Sequence, residues 1–299
     1  MPDSSSKALG VRLVTQAVLG TLTVLMGAGV TAESPSLEPL WTVEGFRDPE
    51  SAAIDLKRQV IYVSNVNTYA KDNNGAISRV SLDGSRVELD WITHIDSPTG
   101  VAIFEDRLYF ADFDSLVAAD IDSGEILHRF PAPDDRPVLN DVAISSEGDV
   151  YVSGSRSRTI YRLENGKRVA WLHDEELLVA ANGLLVYPEG FLFHGGEHWS
   201  ALHIGKRKPV VMSPSPSEGL RDFDGITALA PGRLLVTMID DPRIWLVTSR
   251  VSRPLSEEPI EGIDLDYRAG FLAVPRVGGK LTLFRLGNLP VPGEVGPHN

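Results

Sequence analysis

Pro49-Glu50-Ser51-Ala52-Ala53-Ile54 is the first of four similar stretches in this 299-residue chain. The other three are Leu139-Asn140-Asp141-Val142-Ala143-Ile144, Ala181-Asn182-Gly183-Leu184-Leu185-Val186 and Phe223-Asp224-Gly225-Ile226-Thr227-Ala228. In each stretch an oxygen-bearing side chain stands just before a short apolar run. These side chains are separated by 90, 42 and 42 residues, and the first interval is about two repeats. A repeat of about 40 residues is the size of one blade of a β-propeller.

Each repeat continues through a turn into a second β-rich run, and six such pairs occur. The second runs are 60–63, 107–111, 150–152, 191–193, 234–236 and 271–274. Short β-rich runs separated by Gly, Asp, Asn or Glu turns are typical of antiparallel strands. The sequence therefore predicts an all-β, six-bladed β-propeller over residues 41–286, with four-stranded antiparallel blades around a central channel. A parallel β-helix and a pair of β-sandwiches are the alternatives.

The repeated polar side chains are the candidate functional site. A propeller brings equivalent positions of its blades around one channel, so we expect Glu50, Asn140, Asn182 and Asp224 to converge there. Thr99 holds the equivalent position in the second repeat and Asp264 approximately that of the sixth, so both are expected to line the channel. An acid or Asn before a strand can simply cap a turn. Four of them at equivalent places favour a cation site, because crowded unpaired polar groups are costly to bury.

The donor types indicate which cation. Carboxylate and amide oxygens are hard ligands that suit Ca²⁺, with Mg²⁺, Mn²⁺ and Zn²⁺ as alternatives. The chain has no cysteine, which excludes disulfides, thiolate metal sites and cysteine nucleophiles. Its formal net charge of −13 argues against nucleic-acid binding, which needs clustered Lys and Arg. No phosphate-binding Gly-rich loop and no Gly-x-Ser-x-Gly motif occurs.

The N-terminal residues 1–32 have the pattern of a signal peptide. Lys7 and Arg12 precede an uncharged stretch from Leu13 to Ala32, and Val30-Thr31-Ala32 fits a cleavage site. An uncleaved membrane anchor is the alternative. We therefore expect a periplasmic or secreted monomer without stable membrane insertion after cleavage. Residues 33–40 are predicted to be a short linker and residues 287–299 a flexible tail.

The chain resembles the gluconolactonase and senescence-marker-protein (regucalcin-like) family of six-bladed propellers, and more distantly the paraoxonases and diisopropyl fluorophosphatases. The matching residues are Pro49-Glu50-Ser51, Asn140-Asp141, Asn182-Gly183-Leu184 and Asp224-Gly225. The resemblance covers residues 41–286. It implies that Glu50, Asn182 and Asp224 bind a divalent metal ion, often Ca²⁺, and that Asn140 is a ligand or a substrate contact.

One position departs from the family pattern. Sugar-lactone members usually carry an Arg two residues before the Asn of the Asn-Asp motif, where this chain has Val138. Arg136 lies nearby, but its spacing does not match. This departure argues against aldonolactones as substrates.

The expected activity is metal-dependent hydrolysis of a lactone or ester. The ion would polarise a carbonyl and bring a water molecule beside it, and Asp224 or Asp141 would act as the base. A non-catalytic secreted propeller with a structural Ca²⁺ ion that binds a protein or glycan is an alternative reading. An isomerase or condensing enzyme of a specialised pathway is another, because one fold hosts many functions.

His194 and His198 are further candidates for the substrate channel. Histidines four residues apart bind zinc when they lie on a helix. Gly195-Gly196 between them argues against a helix. The segment with Trp199 is therefore predicted to be a rim loop.

Overall fold

The computed structural model describes residues 36–131, 138–187, 190–197, 199–204, 220–248 and 251–287. The described chain is all-β, and its strands form six antiparallel sheets arranged as a six-bladed propeller. No helix in the described ranges is long and apolar enough to cross a membrane. The predicted signal segment, His198 and residues 288–299 of the predicted tail lie outside these ranges.

The first three blades follow strand β1 (Ser36–Glu44) in chain order. Blade 1 contains β2 (Pro49–Asp55), β3 (Val60–Asn65), β4 (Gly75–Ser81) and β5 (Val87–Ile95). Blade 2 contains β6 (Pro98–Phe104), β7 (Arg107–Asp112), β8 (Ser115–Asp120) and β9 (Ile126–Pro131). Blade 3 contains β10 (Leu139–Ile144), β11 (Val150–Gly154), β12 (Thr159–Glu164) and β13 (Lys167–His173).

The last three blades complete the ring. In its described residues blade 4 contains β14 (Leu184–Tyr187), β15 (Phe191–His194) and β16 (Ser200–His203). Blade 5 contains β17 (Phe223–Ala230), β18 (Arg233–Met238), β19 (Asp241–Thr248) and β20 (Ser252–Pro254). Blade 6 contains β21 (Asp266–Arg268), β22 (Phe271–Arg276) and β23 (Lys280–Gly287).

The N-terminal strand closes the propeller. β1 pairs antiparallel with β23, from Ser36 opposite Gly287 to Glu44 opposite Lys280, and so becomes the outer strand of blade 6. The predicted start at residue 41 is therefore too late, because residues 36–40 belong to β1 and not to a linker. Pairing the two ends of the chain leaves the ring without a gap between its first and last blades.

The apolar core lies between neighbouring blades. Six apolar clusters occur in the described residues, one for each pair of adjacent blades. Blades 6 and 1, for example, meet through Ile61 and Val63 against Leu281 and Leu283. The other five clusters join the remaining neighbours in the same way. Successive side chains of a strand point to opposite faces, so the continuous apolar runs of strands such as β2 and β3 pack against both neighbouring blades.

The innermost strands β2, β6, β10, β14, β17 and β21 leave one backbone edge facing the channel. Such groups need partners, and side chains of adjacent blades supply several. Asp266 Oδ2 accepts from the Ile54 amide (2.8 Å), and Asp141 Oδ2 accepts from the Leu184 amide (2.6 Å). Two hydroxyl groups act in the same way: Ser51 Oγ accepts from the Val101 amide (3.3 Å) and Thr227 Oγ1 from the Tyr267 amide (3.3 Å). These bonds fix the inner strands relative to one another.

Candidate functional site

A β-bulge interrupts the inner strand of blades 1, 2, 3 and 5 at its start. The register shifts between Pro49 and Ala52, Pro98 and Val101, Leu139 and Val142, and Phe223 and Ile226. Glu50, Thr99, Asn140 and Asp224 all lie within these bulges. A bulge sets two residues against one and changes the direction of their side chains. These four candidate residues therefore share an irregular backbone as well as a position in the repeat.

Hydroxyl side chains of the second strand hold three of these bulges. Ser64 Oγ accepts from the Ser51 amide (2.9 Å), Ser153 Oγ from Asp141 (2.9 Å) and Thr237 Oγ1 from Gly225 (2.8 Å). Sequence reasoning missed these residues. Their signal is a Ser or Thr 12 or 13 residues after the amide that it binds.

The chain also turns sharply before each candidate ligand. Asp48, Val138, Ala180 and Asp222 have positive φ values of 47°, 93°, 51° and 54°. Each stands two residues before Glu50, Asn140, Asn182 or Asp224. Non-glycine residues rarely adopt this conformation, a β-branched Val least of all. Backbone strain of this kind concentrates at functional sites.

Most of the predicted site residues meet at one small cavity of about 10 Å³. The residues that line it are Glu50, Ser51, Gly100, Asn140, Asp141, Asn182, Asp224 and Asp264. This volume holds about one water molecule or one ion. Thr99 is not among them, which corrects its predicted place in the channel wall. Its side chain is buried, and Oγ1 donates to the carbonyl of Asn140 (2.7 Å).

The four carboxylates differ in their hydrogen bonds. Asp141 is held on both oxygens, by the amides of Val142 (2.7 Å) and Leu184 (2.6 Å). The Asn182 side chain stands beside Asp224 and lowers the pKa of its carboxyl group against the larger effect of burial. Glu50 Oε1 accepts from the Tyr69 hydroxyl (3.1 Å), whereas Glu50 Oε2 is buried and has no hydrogen-bond partner. An orphaned buried carboxylate oxygen is costly unless a cation or water satisfies it.

Asp264 approaches from blade 6. Its Oδ1 accepts from the Leu265 amide (2.6 Å), and the Ser51 side chain lies close enough to lower the pKa of its carboxyl group. Two glycines make room for the acids. A Cβ atom at Gly100 would lie 2.3 Å from Asp141 Oδ1, and one at Gly225 would lie 2.2 Å from Asp264 Oδ1. The glycine after Asp224 therefore serves close packing of the neighbouring carboxylate.

Burial raises the pKa of every carboxyl group at this cavity, and repulsion from a nearby acid adds to the effect. The pKa values of Glu50 and Asp141 lie well above their ordinary range, and burial is the largest cause for both. The next cause is the charge of Asp224 for Glu50 and the charge of Asp264 for Asp141. Burial and the charge of Asp264 raise the pKa of Asp224 to about 7, and burial raises that of Asp264 to about 7. None of the eight lining residues is basic. The arrangement is therefore suited to a cation.

The donor set fits a hard cation. The described residues contain no group of three or more His, Asp or Glu side chains placed together as metal ligands. The predicted metal ligands do not form such a group, because two of them, Asn140 and Asn182, are amides and only Glu50 and Asp224 are carboxylates. Ca²⁺ binds six to eight oxygens and accepts amide carbonyls and water among them. The buried Glu50 Oε2, which has no hydrogen-bond partner, is a separate observation that fits a bound cation.

His194 does not belong to the channel, contrary to the prediction. It is the last residue of β15, is fully buried and lines neither the small cavity nor the channel. Its Nδ1 contacts the Gly195 carbonyl (3.1 Å) and its Nε2 contacts Ser200 Oγ (2.6 Å). Burial lowers its pKa. Its partner in the predicted pair, His198, lies outside the described residues.

The channel continues from the small cavity along the inner strands as a wider cavity of about 380 Å³. Ser51, Asp141 and Asp264 line both cavities. The wider cavity extends to the exposed residues Leu56 and Arg268. The acidic cluster therefore stands where the inner strands begin, and the channel leads from it toward their other ends.

No family model matches the chain, and no curated protein matches it in sequence. Several solved structures share its fold. A protein proposed to be a gluconolactonase is 15% identical, with a TM-score of 0.62 over 87% of this chain and 93% of its own. A streptogramin B lyase is 13% identical, with a TM-score of 0.59 over 85% and 98%. Virginiamycin B lyase from Staphylococcus aureus is 11% identical, with a TM-score of 0.58 over 82% and 99%. At these identities the likeness is one of fold.

Proposed function

We propose that this protein is a divalent-metal-dependent hydrolase that acts on a lactone or ester, with Ca²⁺ bound at the start of the inner strands. The observation that carries the proposal is the meeting of Glu50, Asn140, Asn182 and Asp224 at an ion-sized cavity without a basic residue. The names of the structural neighbours, which concern gluconolactone, virginiamycin B and streptogramin B, favour a small-molecule substrate.

The chain's own residues divide the work. Glu50 and Asn182 would hold the ion, and the side chain of Asn140 would complete the shell or contact the substrate carbonyl. A bound divalent ion supplies polarisation of a carbonyl and activation of water. Thr99 fixes the backbone of Asn140 through its hydroxyl.

Asp224 is a better candidate base than Asp141. Both oxygens of Asp141 already accept backbone amides, so that carboxylate holds the blades in place. Among the described hydrogen bonds none ends on the Asp224 carboxylate, although the Asn182 side chain stands beside it, so acceptor capacity remains on its four lone-pair sites. A base must reach the proton that it removes. Asp224 and Asp141 both line the small cavity, so their hydrogen bonds decide between them.

Calorimetric titration of chelator-treated protein with Ca²⁺ tests the site. Asp224→Asn and Asn182→Ala should each weaken binding by at least about tenfold. Asp106→Asn, which alters an exposed acid in a turn, is the matched control and should bind like the wild type. Hydrolysis of lactones and aryl esters should require the ion and should fail in Asp224→Asn. Full activity in that variant would refute the assignment.

A non-catalytic propeller with a structural ion is the second candidate. The cavity holds about one ion or water molecule, and the Tyr69 hydroxyl donates a hydrogen bond to Oε1 of Glu50. A structural site is closed, whereas a catalytic site keeps an exchangeable position. Loading the site with Mn²⁺ and measuring water proton relaxation separates the two. An ion without exchanging water, together with no turnover, would favour the structural role.

A further inference from the structure

Three exposed apolar side chains stand at the end of the propeller where the acidic cluster lies. Tyr69, Ile239 and Val277 are 61%, 68% and 60% exposed, the highest values among the exposed large hydrophobic residues that the structure describes. Each lies in the loop between the second and third strands of its blade. Their blades are 1, 5 and 6, which are neighbours in the closed ring. We call these three residues the apolar rim.

Backbone and side-chain bonds connect the apolar rim to the candidate site. The Ile239 amide donates to the carbonyl of Asp222 (2.9 Å), two residues before Asp224. The Val277 amide donates to the carbonyl of Glu261 (3.1 Å), three residues before Asp264. The Tyr69 hydroxyl contacts Glu50 itself. The rim therefore borders the cavity on the side of three consecutive blades.

The loop that carries Tyr69 is fixed against blade 2. The fully buried Ser97 donates through Oγ to the carbonyls of Thr68 (2.5 Å) and Ala70 (3.0 Å), and it accepts from the Ala70 amide (3.0 Å). Lys71 pairs with Asp114 (2.6 Å) on the same neighbour. These bonds hold the aromatic ring beside the site and leave most of it exposed.

From this arrangement we propose that the apolar rim binds the apolar part of the substrate, which makes the substrate an ester or lactone with an alkyl or aryl chain. The proposal rests on the hydrolase function proposed above. The small cavity holds about one ion, so a substrate that approaches from the rim can place only its carbonyl oxygen against the bound ion, and the rest of the substrate lies outside the cavity. Exposed apolar side chains at that position gain by covering a hydrocarbon chain. A hydroxyl-rich sugar lactone would gain little from them.

The test compares two double variants across a series of chain lengths. Ile239→Ser with Val277→Ser alters the rim and spares every residue that lines the cavity. Val87→Ser with Val251→Ser is the matched control, because these residues are 43% and 53% exposed and lie where the third and fourth strands of blades 1 and 5 join, at the opposite end. All four positions are exposed, so equal melting temperatures are expected.

The substrates are 4-nitrophenyl esters from acetate to decanoate and δ-lactones from δ-valerolactone to δ-decanolactone. For the wild type and the control, kcat/KM should rise with chain length. The rim variant should lose about tenfold on decanoate, mainly through KM, and little on acetate, since pocket contacts with a methylene chain discriminate on that scale. The same dependence on chain length in all three proteins would overturn the proposal.

Binding measurements separate this proposal from the hydrolase function. If no ester is hydrolysed, calorimetry with the non-hydrolysable decanamide still tests the rim. Binding that the rim variant alone loses would support the rim while the hydrolase function fails, and equal or absent binding would overturn it. Sedimentation with phosphatidylcholine vesicles is the last arm. Rim-dependent vesicle binding, without a change in the substrate series, would assign the rim to a lipid surface and overturn the proposal.

Discussion

The channel buries acidic residues in two opposite ways. Farther along the channel, Asp55 accepts from the Arg58 amide (3.0 Å) and pairs with the Arg58 guanidinium (3.1 Å). Asp266 accepts from the Ile54 amide (2.8 Å) and faces Arg268 (3.4 Å). At the start of the strands, Glu50 keeps an unsatisfied oxygen and meets other carboxylates instead of a basic partner.

This difference distinguishes acids that stabilise the fold from acids whose charges only a bound cation would balance. A buried acid with a basic or amide partner stabilises the folded chain through that partner. Buried acids that face one another repel and gain only when a cation arrives. The predictions below alter each kind of acid and the elements that position it.

Glu50→Gln should produce the largest effect. The ion should bind at least about 100-fold more weakly, and kcat/KM should fall by a similar factor, because a charged ligand is lost. The calcium-free variant should be at least as stable as the calcium-free wild type, since one repelling charge is removed. Thermal unfolding with and without Ca²⁺ measures both effects. A large loss of calcium-free stability would place Glu50 with the structural acids.

Asp266→Ala should give the opposite pattern. Removing the acceptor leaves the Ile54 amide buried without its partner, which costs about 2 kcal/mol. Ca²⁺ affinity should stay within about twofold, because Asp266 does not line the small cavity. Asp266→Asn keeps an acceptor oxygen and should recover most of the stability. Denaturant unfolding and calorimetry separate the two quantities, and a concomitant loss of Ca²⁺ affinity would erase the contrast between the two groups of acids.

Thr237→Val should affect both stability and the site, to a smaller extent. The hydroxyl accepts from Gly225 (2.8 Å) and donates to the carbonyl of Ile263 (2.6 Å), so it holds the bulge beside Asp224. Loss of these bonds should cost about 1.5 kcal/mol and should weaken Ca²⁺ binding several-fold. Thr248→Val removes a hydroxyl at the far end of the same blade and should leave the ion unaffected. Unchanged Ca²⁺ affinity in Thr237→Val would limit the bulge to a structural role.

His194 should produce the smallest effect, and one that depends on pH. Burial lowers the pKa of His194 in the folded chain, whereas in the unfolded chain the imidazole has its ordinary pKa of about 6.5. As the pH falls below about 6.5, the unfolded chain therefore binds the extra proton and the folded chain does not. This contribution to stability is present at neutral pH and is lost as the pH falls. Opposing causes are the Gly195 carbonyl and the charge of Asp174. His194→Gln should therefore lose less melting temperature than the wild type between about pH 7.5 and pH 5, and an equal loss would contradict the assignment.

The sequence predicted the blade number and most of the lining residues, because both follow from the repeat. Equivalent positions of a closed repeat must meet at the channel, which is why Glu50 and Asp224 could be paired across 174 residues. The family resemblance added the expected metal chemistry. Asp264 was placed at the channel from its approximate position alone, and it lines the cavity.

Other features depend on contacts that no local pattern encodes. Residues 36–40 resemble a linker in sequence because the partners of residues 36–39, which are residues 284–287, lie about 250 positions later in the chain. Thr99 holds a site position, but its hydroxyl is occupied by Asn140. His194 stands beside glycines that suggest a loop, yet it ends a buried strand with both nitrogens engaged.

By itself the sequence determined the six-fold repeat, the oxygen-bearing residues at its equivalent positions and the absence of thiol chemistry, because composition and period are properties of the chain alone. Only the tertiary structure decided which buried acids have partners and which do not. It also brought the Tyr69 hydroxyl within hydrogen-bond distance of Glu50 and placed the three residues of the apolar rim on adjacent blades. These features depend on distances between residues far apart in the chain, which are set when the blades pack and β1 closes the ring.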